Sequence, residues 1–250
     1  MKVNALVLAG QPNNGALKEI SPVANEAFIE IGNRMMLEYV LDALASADGV
    51  ERIVVVGPKK ELEEKLQDRD LIITQSAATL VDNVLVGAGV LPHDRKILIV
   101  TSDIPLLTGE IVDDFINQCC EEEADFYYPA IEKTENEKKY PMTKRTYVRL
   151  KEGTFTGGNL ALVNPGVLGP SADMVRAFVA ARKNPLKLAA LLGWTFVIKL
   201  LFHRLSLSQL EKRFSELFDL KAVVVLTPHP EIGLDVDKPS DYKLVRAALL

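Results

Sequence analysis

KILIVTSDIPLLT (residues 96–108) is the stretch that decides the fold. Four apolar residues, Ile97 to Val100, run without interruption into Thr101, Ser102 and Asp103, and Pro105 stops any extension. An unbroken apolar run between turn signals is the pattern of a strand buried on both faces, as in a parallel sheet. An aspartate left unpaired inside such a sheet would be costly. Asp103 is therefore expected at the open carboxyl end of the strand, where a carboxylate either caps a turn or holds a hard cation.

Outward from that strand the pattern recurs. Val3–Leu8 ends in Ala9-Gly10, RIVVVGP (52–58) ends in Gly57-Pro58, and LIITQ (71–75) is a shorter run. Helical periodicity falls between these runs at 34–47, 59–67, 79–91 and 108–120, the last opened by an N-cap threonine, Thr108. Strand and helix thus alternate through the first 120 residues, which predicts a parallel sheet with helices on both faces. In such sheets the ligand sits beyond the carboxyl ends of the strands.

The second half is less regular. Strands are expected at 125–131, 146–153, 157–165 and 221–227, with a lysine-rich connection at 132–145 and helical material at 171–218. A loop and a helix capped near Ser240 close the chain at 231–249. The expected fold is α/β: one domain over 1–250, with a mainly parallel Rossmann-like sheet flanked by helices and a helical insertion at 171–218.

Composition sets the class. With 250 residues, 48% of them hydrophobic, and 25% charged, the chain has enough apolar material for one substantial core. A net charge of −5 argues against a nucleic-acid partner, which a basic face would attract. The cysteines, Cys119 and Cys120, are adjacent, match no zinc spacing, and read as two buried thiols on a helix in a reducing cytoplasm. The apolar run of MKVNALVLAG is too short for a signal peptide and reads as the first strand. His203 and His229 have no metal spacing and read as structural or solvated.

Two further stretches carry chemistry. LVLAGQPNNGALKEISP (6–22) spaces Gly10 and Gly15 as a phosphate-binding loop does, yet Ala16-Leu17 stands where Lys-Ser/Thr should follow. Backbone N–H groups freed by glycine can still embrace a phosphate, and Asn13, Asn14 and Gly15 tolerate the left-handed conformations expected of such a wrap. In GLDVDKPSDY (233–242), Asp235 and Asp237 fall on one side of an extended segment that Lys238-Pro239 terminates. A second carboxylate near Asp103 would complete a Mg²⁺–triphosphate site, since magnesium uses one or two carboxylates plus phosphate oxygens and water.

LVLAG, NEAFIEIGNRMMLEYVLDAL, VVVG, TSDIPLLT, GGNLALVNP and GLDVDKPSDY occur in that order. Together they resemble the MobA-like nucleotidyltransferases, a group with the nucleotide-diphospho-sugar transferase (GT-A-like) fold. The resemblance spans roughly 1–165 and 220–250. It implies a Mg²⁺-dependent enzyme that moves NMP from an NTP to a small phosphorylated acceptor and releases pyrophosphate. It also implies a triphosphate wrapped by Leu8, Ala9, Gly10, Gln11, Asn14 and Gly15, with Asp103 and Asp237 as metal ligands. Asn83 would contact base or ribose, and Gly157, Gly158 and Asn159 would lie at the acceptor.

The chain departs from the family in its first loop. Gln11 replaces a second glycine, no arginine lies between 11 and 33, and Glu26 stands where the family carries a lysine. Exchanging a cation for an anion beside a triphosphate reverses an attraction of several kcal/mol at short range, even at an effective dielectric of about 20. Three readings stay open: Lys18 serves as the catalytic cation instead, Glu26 faces away, or activity is weak or absent. Rival functions are a glycosyltransferase of the same fold and a non-catalytic nucleotide-binding protein.

Residues 182–213 stand apart. They hold seven basic side chains and one acid, a net of +6 that leaves −11 to the rest of the chain. The uncharged run 188–198 falls well short of the ~20 apolar residues that span a bilayer. Three placements fit: a helical hairpin in the core or at a homodimer contact, a peripheral membrane surface, and a pocket for a lipid-like acceptor.

Overall fold

The computed structural model of the chain describes every residue except Arg182 and Lys183, two of the seven basic residues counted above. Its frame is a mixed sheet. In chain order the elements of the first half are β1 (Val3–Leu8), β2 (Glu30–Ile31), β3 (Arg34–Met35), α1 (Met36–Ser46), β4 (Val50–Gly57), α2 (Lys59–Lys65), β5 (Ile72–Gln75), α3 (Leu80–Gly89), β6 (Ile97–Thr101) and α4 (Gly109–Gln118). The second half adds β7 (Phe126–Glu132), α5 (Lys133–Lys139), β8 (Val148–Arg149), β9 (Thr154–Gly157), β10 (Leu160–Val163), α6 (Pro165–Ala181), α7 (Pro185–Leu192), α8 (Trp194–Leu201), α9 (Leu207–Phe218), β11 (Ala222–Thr227) and α10 (Pro239–Leu249).

β1 lies at the centre because it is apolar on both faces; Val3, Ala5, Leu6 and Val7 have no exposed surface. It pairs in parallel with β4 on one side and β6 on the other, in register Leu8–Val56 and Leu8–Thr101. Their carboxyl ends are therefore level, and the chain reverses direction across the sheet at β1, the position where α/β folds place ligands. α3 approaches closely enough that a Cβ on Gly87 would stand 2.5 Å from Leu6 Cδ1, so only glycine fits there.

Beyond β6 the direction changes. β10 runs antiparallel to β6 and β7, and β11 runs parallel to β7 along Phe126–Ile131. β11 occupies one edge of β7, so β9 and β10 share the other, broken between them at Gly158-Asn159. The expected strand at 146–153 is reduced to two residues, Val148 and Arg149, followed by a tight return into β9. The lysine-rich connection contains a two-turn helix, α5, and the helical material begins earlier than expected, at Pro165. The last helix starts at Pro239 after Lys238, not at a Ser240 cap, since proline suits the first helical position. Only one of the adjacent thiols joins the core: Cys119 is buried and Cys120 is exposed.

The decisive connection follows β11. From His229 the chain crosses over the carboxyl end of β6 and the amino end of β10, held by Asn159 N–H to the Ile232 carbonyl (2.8 Å) and Val236 N–H to the Asp103 carbonyl (2.9 Å). Leu234 and Val236 are buried in a cluster with Leu17, Ile29, Met36 and Val245. Extended chain alternates its side chains. With Leu234 and Val236 inward, Asp235 and Asp237 turn the other way, toward β6.

Candidate active site

One carboxylate oxygen from each of Asp103, Asp235 and Asp237 lies within 4.8 Å of the others. Thr101 donates its hydroxyl to Asp103, and Arg145 forms an ion pair with Asp235. At that spacing two full charges repel by about 3 kcal/mol at an effective dielectric of about 20. Protonation responds accordingly. Burial, with Asp235 adding repulsion, pushes Asp103 up to about 6. Burial also raises Asp237, to about 7, with Asp235, Asp103 and Glu26 all contributing. Burial alone would raise Asp235 too, but Arg145 outweighs it and holds that carboxyl below the usual range. The cluster is short of positive charge.

Glu26 belongs to this field. It is half-buried, and burial together with Asp103 raises its carboxyl. Asp103 raises the Glu26 carboxyl and Glu26 in turn raises that of Asp237, so Glu26 stands near enough to feel the cluster's charge. The backbone explains why, because Glu26 N–H donates to the Gln11 carbonyl (3.0 Å) and ties the residue to the first loop.

That loop, 9–15, is held by two buried asparagines that sequence reasoning did not single out as anchors. Asn25 Nδ2 donates to the Ala9 carbonyl (3.0 Å) while its Oδ1 accepts from Ala27 N–H (2.9 Å). Asn13 Nδ2 donates to the Ser21 and Val23 carbonyls, at 2.9 and 3.0 Å. The loop needs no left-handed residue: Asn13, Asn14 and Gly15 all have negative φ, and Gly15 is extended at φ −100°, ψ −152°. Its side chains are held from outside, so the backbone does not have to curl on itself. Gln11, Asn14, Gly15 and Lys18 are exposed around it, Lys18 in a single 3₁₀ turn at Ala16–Glu19.

Gly10 approaches the start of α3. A Cβ there would stand 3.1 Å from Ser76 Cβ and 3.5 Å from Asn83 Nδ2. Asn83 Oδ1 accepts from Ala77 N–H, which fixes its amide beside the Leu8–Gly10 strand end. On the opposite flank a pocket of about 300 Å³ is lined by Thr143, Lys144, Arg145, Thr146, Asp235 and Asp237, among others. Among the described residues Lys144 makes no ion pair. Gly157 and Gly158 are occupied by protein: their absent side chains would meet the Tyr128 hydroxyl and Ile232 Cγ2, each at 2.5 Å. Asn159 keeps its side-chain Nδ2 buried without a partner. His229, read as solvated or structural, pairs with Asp114 across 2.8 Å.

A family model described as the MobA-like NTP transferase domain matches residues 23–213. The chain belongs to the MobA-like NTP transferase family. The match reaches through α6, α7, α8 and the first half of α9, a stretch outside the 1–165 and 220–250 spanned by the motifs above. A hypothetical transferase from Thermus thermophilus is 37% identical, with a TM-score of 0.87 over 97% of this chain and 100% of that one. A CMP:2-keto-3-deoxy-manno-octonic acid synthetase, solved with CTP, shares the fold at 12% identity, with a TM-score of 0.64 over 100% of this chain and 98% of the other. The bifunctional protein GlmU of Thermoanaerobacter pseudethanolicus is 32% identical over 90 residues, 35% of this chain. That match spans only 20% of the GlmU length. Among the described residues no helix is long and apolar enough to cross a membrane.

Proposed function

We propose that this chain is a Mg²⁺-dependent nucleotidyltransferase that moves a nucleoside monophosphate from an NTP to a phosphorylated acceptor and releases pyrophosphate. The observation that carries this reading is the meeting of Asp103 and Asp237, 134 positions apart, beside the loop that follows β1. An all-carboxylate set suits a hard cation, and repulsion within the cluster marks a place where added positive charge is stabilising. Asp103 and Asp237 would hold the ion, since Arg145 already neutralises Asp235. When bound, Mg²⁺ supplies charge neutralisation to phosphate oxygens.

The chain's own groups do the positioning. The N–H groups of Gly10, Gln11 and Gly15, those of Ala9, Asn13 and Asn14 being bonded within the protein, and the Lys18 ammonium take the triphosphate, and Asn83 takes the base or ribose. Lys144 and the hydroxyls of Thr143 and Thr146 take the acceptor phosphate, with Asn159 Nδ2 and the backbone at Gly157 and Gly158 lining its approach. An acceptor phosphate oxygen then bonds to the α-phosphorus as the α–β bridging bond breaks and pyrophosphate departs. Alignment of the reactants and fixed charge are the sources of rate.

A second reading, nucleotide binding without turnover, is favoured by Glu26, a fourth carboxylate near the triphosphate's place. Pyrophosphate release, measured with each NTP and a panel of phosphorylated acceptors, separates the two. Turnover that disappears in Asp103→Asn supports transfer, and Mg²⁺-dependent NTP binding with no turnover on any acceptor supports the second. Lys18→Ala should weaken NTP binding more than Glu26→Ala; the reverse ranking removes Lys18 from the site.

A further inference from the structure

On the flank of the sheet opposite β5, α6 and α9 cover the β7–β11 edge, α9 taking the Ala222 and Val224 N–H groups on Ser215 and Glu211, and leave a cleft beside it. Phe126 and Tyr128 lie on one face of β7 with rings stacked 6.3 Å apart and 9° from parallel. Facing them, Phe178 of α6 meets Phe214 and Phe218 of α9 edge-on, at 5.4 and 5.7 Å. Between these aromatic layers a cleft of about 470 Å³ remains, within the size range of small-molecule sites. Its lining is apolar apart from Glu211, and that carboxylate is committed to Val224 N–H at 2.8 Å.

Interiors normally close to crystal-like density, so a gap of this size forgoes contacts that a filler would restore. Water is a poor filler, because it needs two to four polar partners that this lining does not provide. The cost is visible in α9: Leu210, Phe214 and Phe218 line the cleft, and none of the helix's residues is fully buried.

The cleft and the candidate active site are neighbours across Tyr128, whose hydroxyl feels the charges of Arg145 and Asp235. The ring of Tyr128 forms its wall, while the hydroxyl donates to the Gly158 carbonyl (3.0 Å) in the space left by the missing side chain of Gly157. The next residue, Asn159, accepts from Thr101 N–H (3.0 Å), and Thr101 donates its hydroxyl to Asp103. One short run of backbone therefore has the aromatic cleft at one side and the carboxylates at the other.

We propose that the cleft receives the hydrocarbon chain of an amphiphilic phosphate, an alkyl or isoprenyl phosphate, whose phosphate group is the acceptor at the carboxylate site. Occupancy of the cleft stands on its lining and its connection to β6; the acceptor role rests on the nucleotidyltransferase reading above. Calorimetric titration of the full chain with butyl, hexyl, octyl and decyl phosphate tests it. Affinity should rise about tenfold for each two methylenes until the cleft is full. Ala222→Leu, which adds atoms to the cleft from β11, should abolish that gain and leave Mg²⁺-NTP binding unchanged. Should Ala222→Leu not fold, decanol competing with decyl phosphate on the wild-type chain replaces it. Affinity independent of chain length, or a gain that survives Ala222→Leu, overturns the inference. Chain-length-dependent binding with no pyrophosphate formed from any NTP and Mg²⁺ sinks the transfer reading and leaves the cleft's ligand standing.

Discussion

The two halves of this molecule treat their apolar residues in opposite ways. Between β1 and α4 the inner strands are sealed between helices, and β1, β4 and β6 supply residues with no exposed surface at all. Across α7, α8 and the turn that follows, Leu186, Trp194, Ile198, Leu201 and Phe202 stay 51 to 70% exposed or slightly more, Phe202 at 71%. The contrast teaches that similar hydrophobicity does different work in the two places. In the first half it builds a platform rigid enough to hold charged groups in unfavourable proximity. In the second it leaves surface and cleft, which cost stability and remain available for a ligand.

Four measurements break or sharpen this contrast. The largest effect is expected at Leu6→Ala, which removes a fully buried side chain packed on Gly87 and should cost about 2–5 kcal/mol in denaturant unfolding. A cost under ~1 kcal/mol would mean the platform is looser than its burial implies. Next is Asn25→Ala, which leaves the Ala9 carbonyl and Ala27 N–H without partners. It should cost about 1–3 kcal/mol and weaken NTP binding along with stability. NTP affinity that holds while stability falls would separate the anchor from the loop's binding role.

Asp237→Asn should lower Mg²⁺ affinity by about tenfold or more, equivalent to about 1.4 kcal/mol, in a calorimetric titration at pH 8. It should also change the pH dependence of the metal-free protein. Asp103 and Asp237 have carboxyls raised to about 6 and about 7, so the folded state holds their protons more tightly than the unfolded chain does. Their contribution to stability is complete below the ordinary carboxylate range, near pH 4, and is lost as pH rises through 6 to 7. The stability difference between wild type and Asp237→Asn should therefore open over that window, with the variant more stable at pH 8. Parallel curves would show that the repulsion is relieved in some other way.

The smallest effect is expected at Phe202→Ser, within about 0.5 kcal/mol, because its ring is already in solvent. A cost of ~2 kcal/mol would mean that something covers α8 in solution, and a concentration-dependent melting temperature would identify that cover as a second copy.

Much of the fold was legible because buried parallel strands are nearly continuous apolar runs. Val3–Leu8, 52–58 and 96–103 each contain one. The carboxylates were legible for a related reason: Asp103 ends such a run, and the alternation of Leu234, Asp235, Val236 and Asp237 forces both acids to one side. Arg145 and the placement of Glu26 were not legible. Arg145 lies 90 positions from Asp235, at the end of the lysine-rich connection 132–145, where nothing local distinguishes it from the basic residues around it. Glu26 is positioned by its backbone N–H bond to the Gln11 carbonyl, which follows from how two loops cross and leaves no periodic trace. The anchoring asparagines read as ordinary turn residues because the amide's partners are distant carbonyls.

By itself the sequence determined which segments are strand, which faces are apolar and where acids leave the core, since these follow from local periodicity and the cost of burying charge. Tertiary structure alone decided that β9 and β10 share an edge of β7, that Glu26 comes near Asp103, and that α6 and α9 leave a cleft against Phe126 and Tyr128. Each of those depends on where elements distant in sequence come to rest, and side-chain volumes settle that only once the chain has closed on itself.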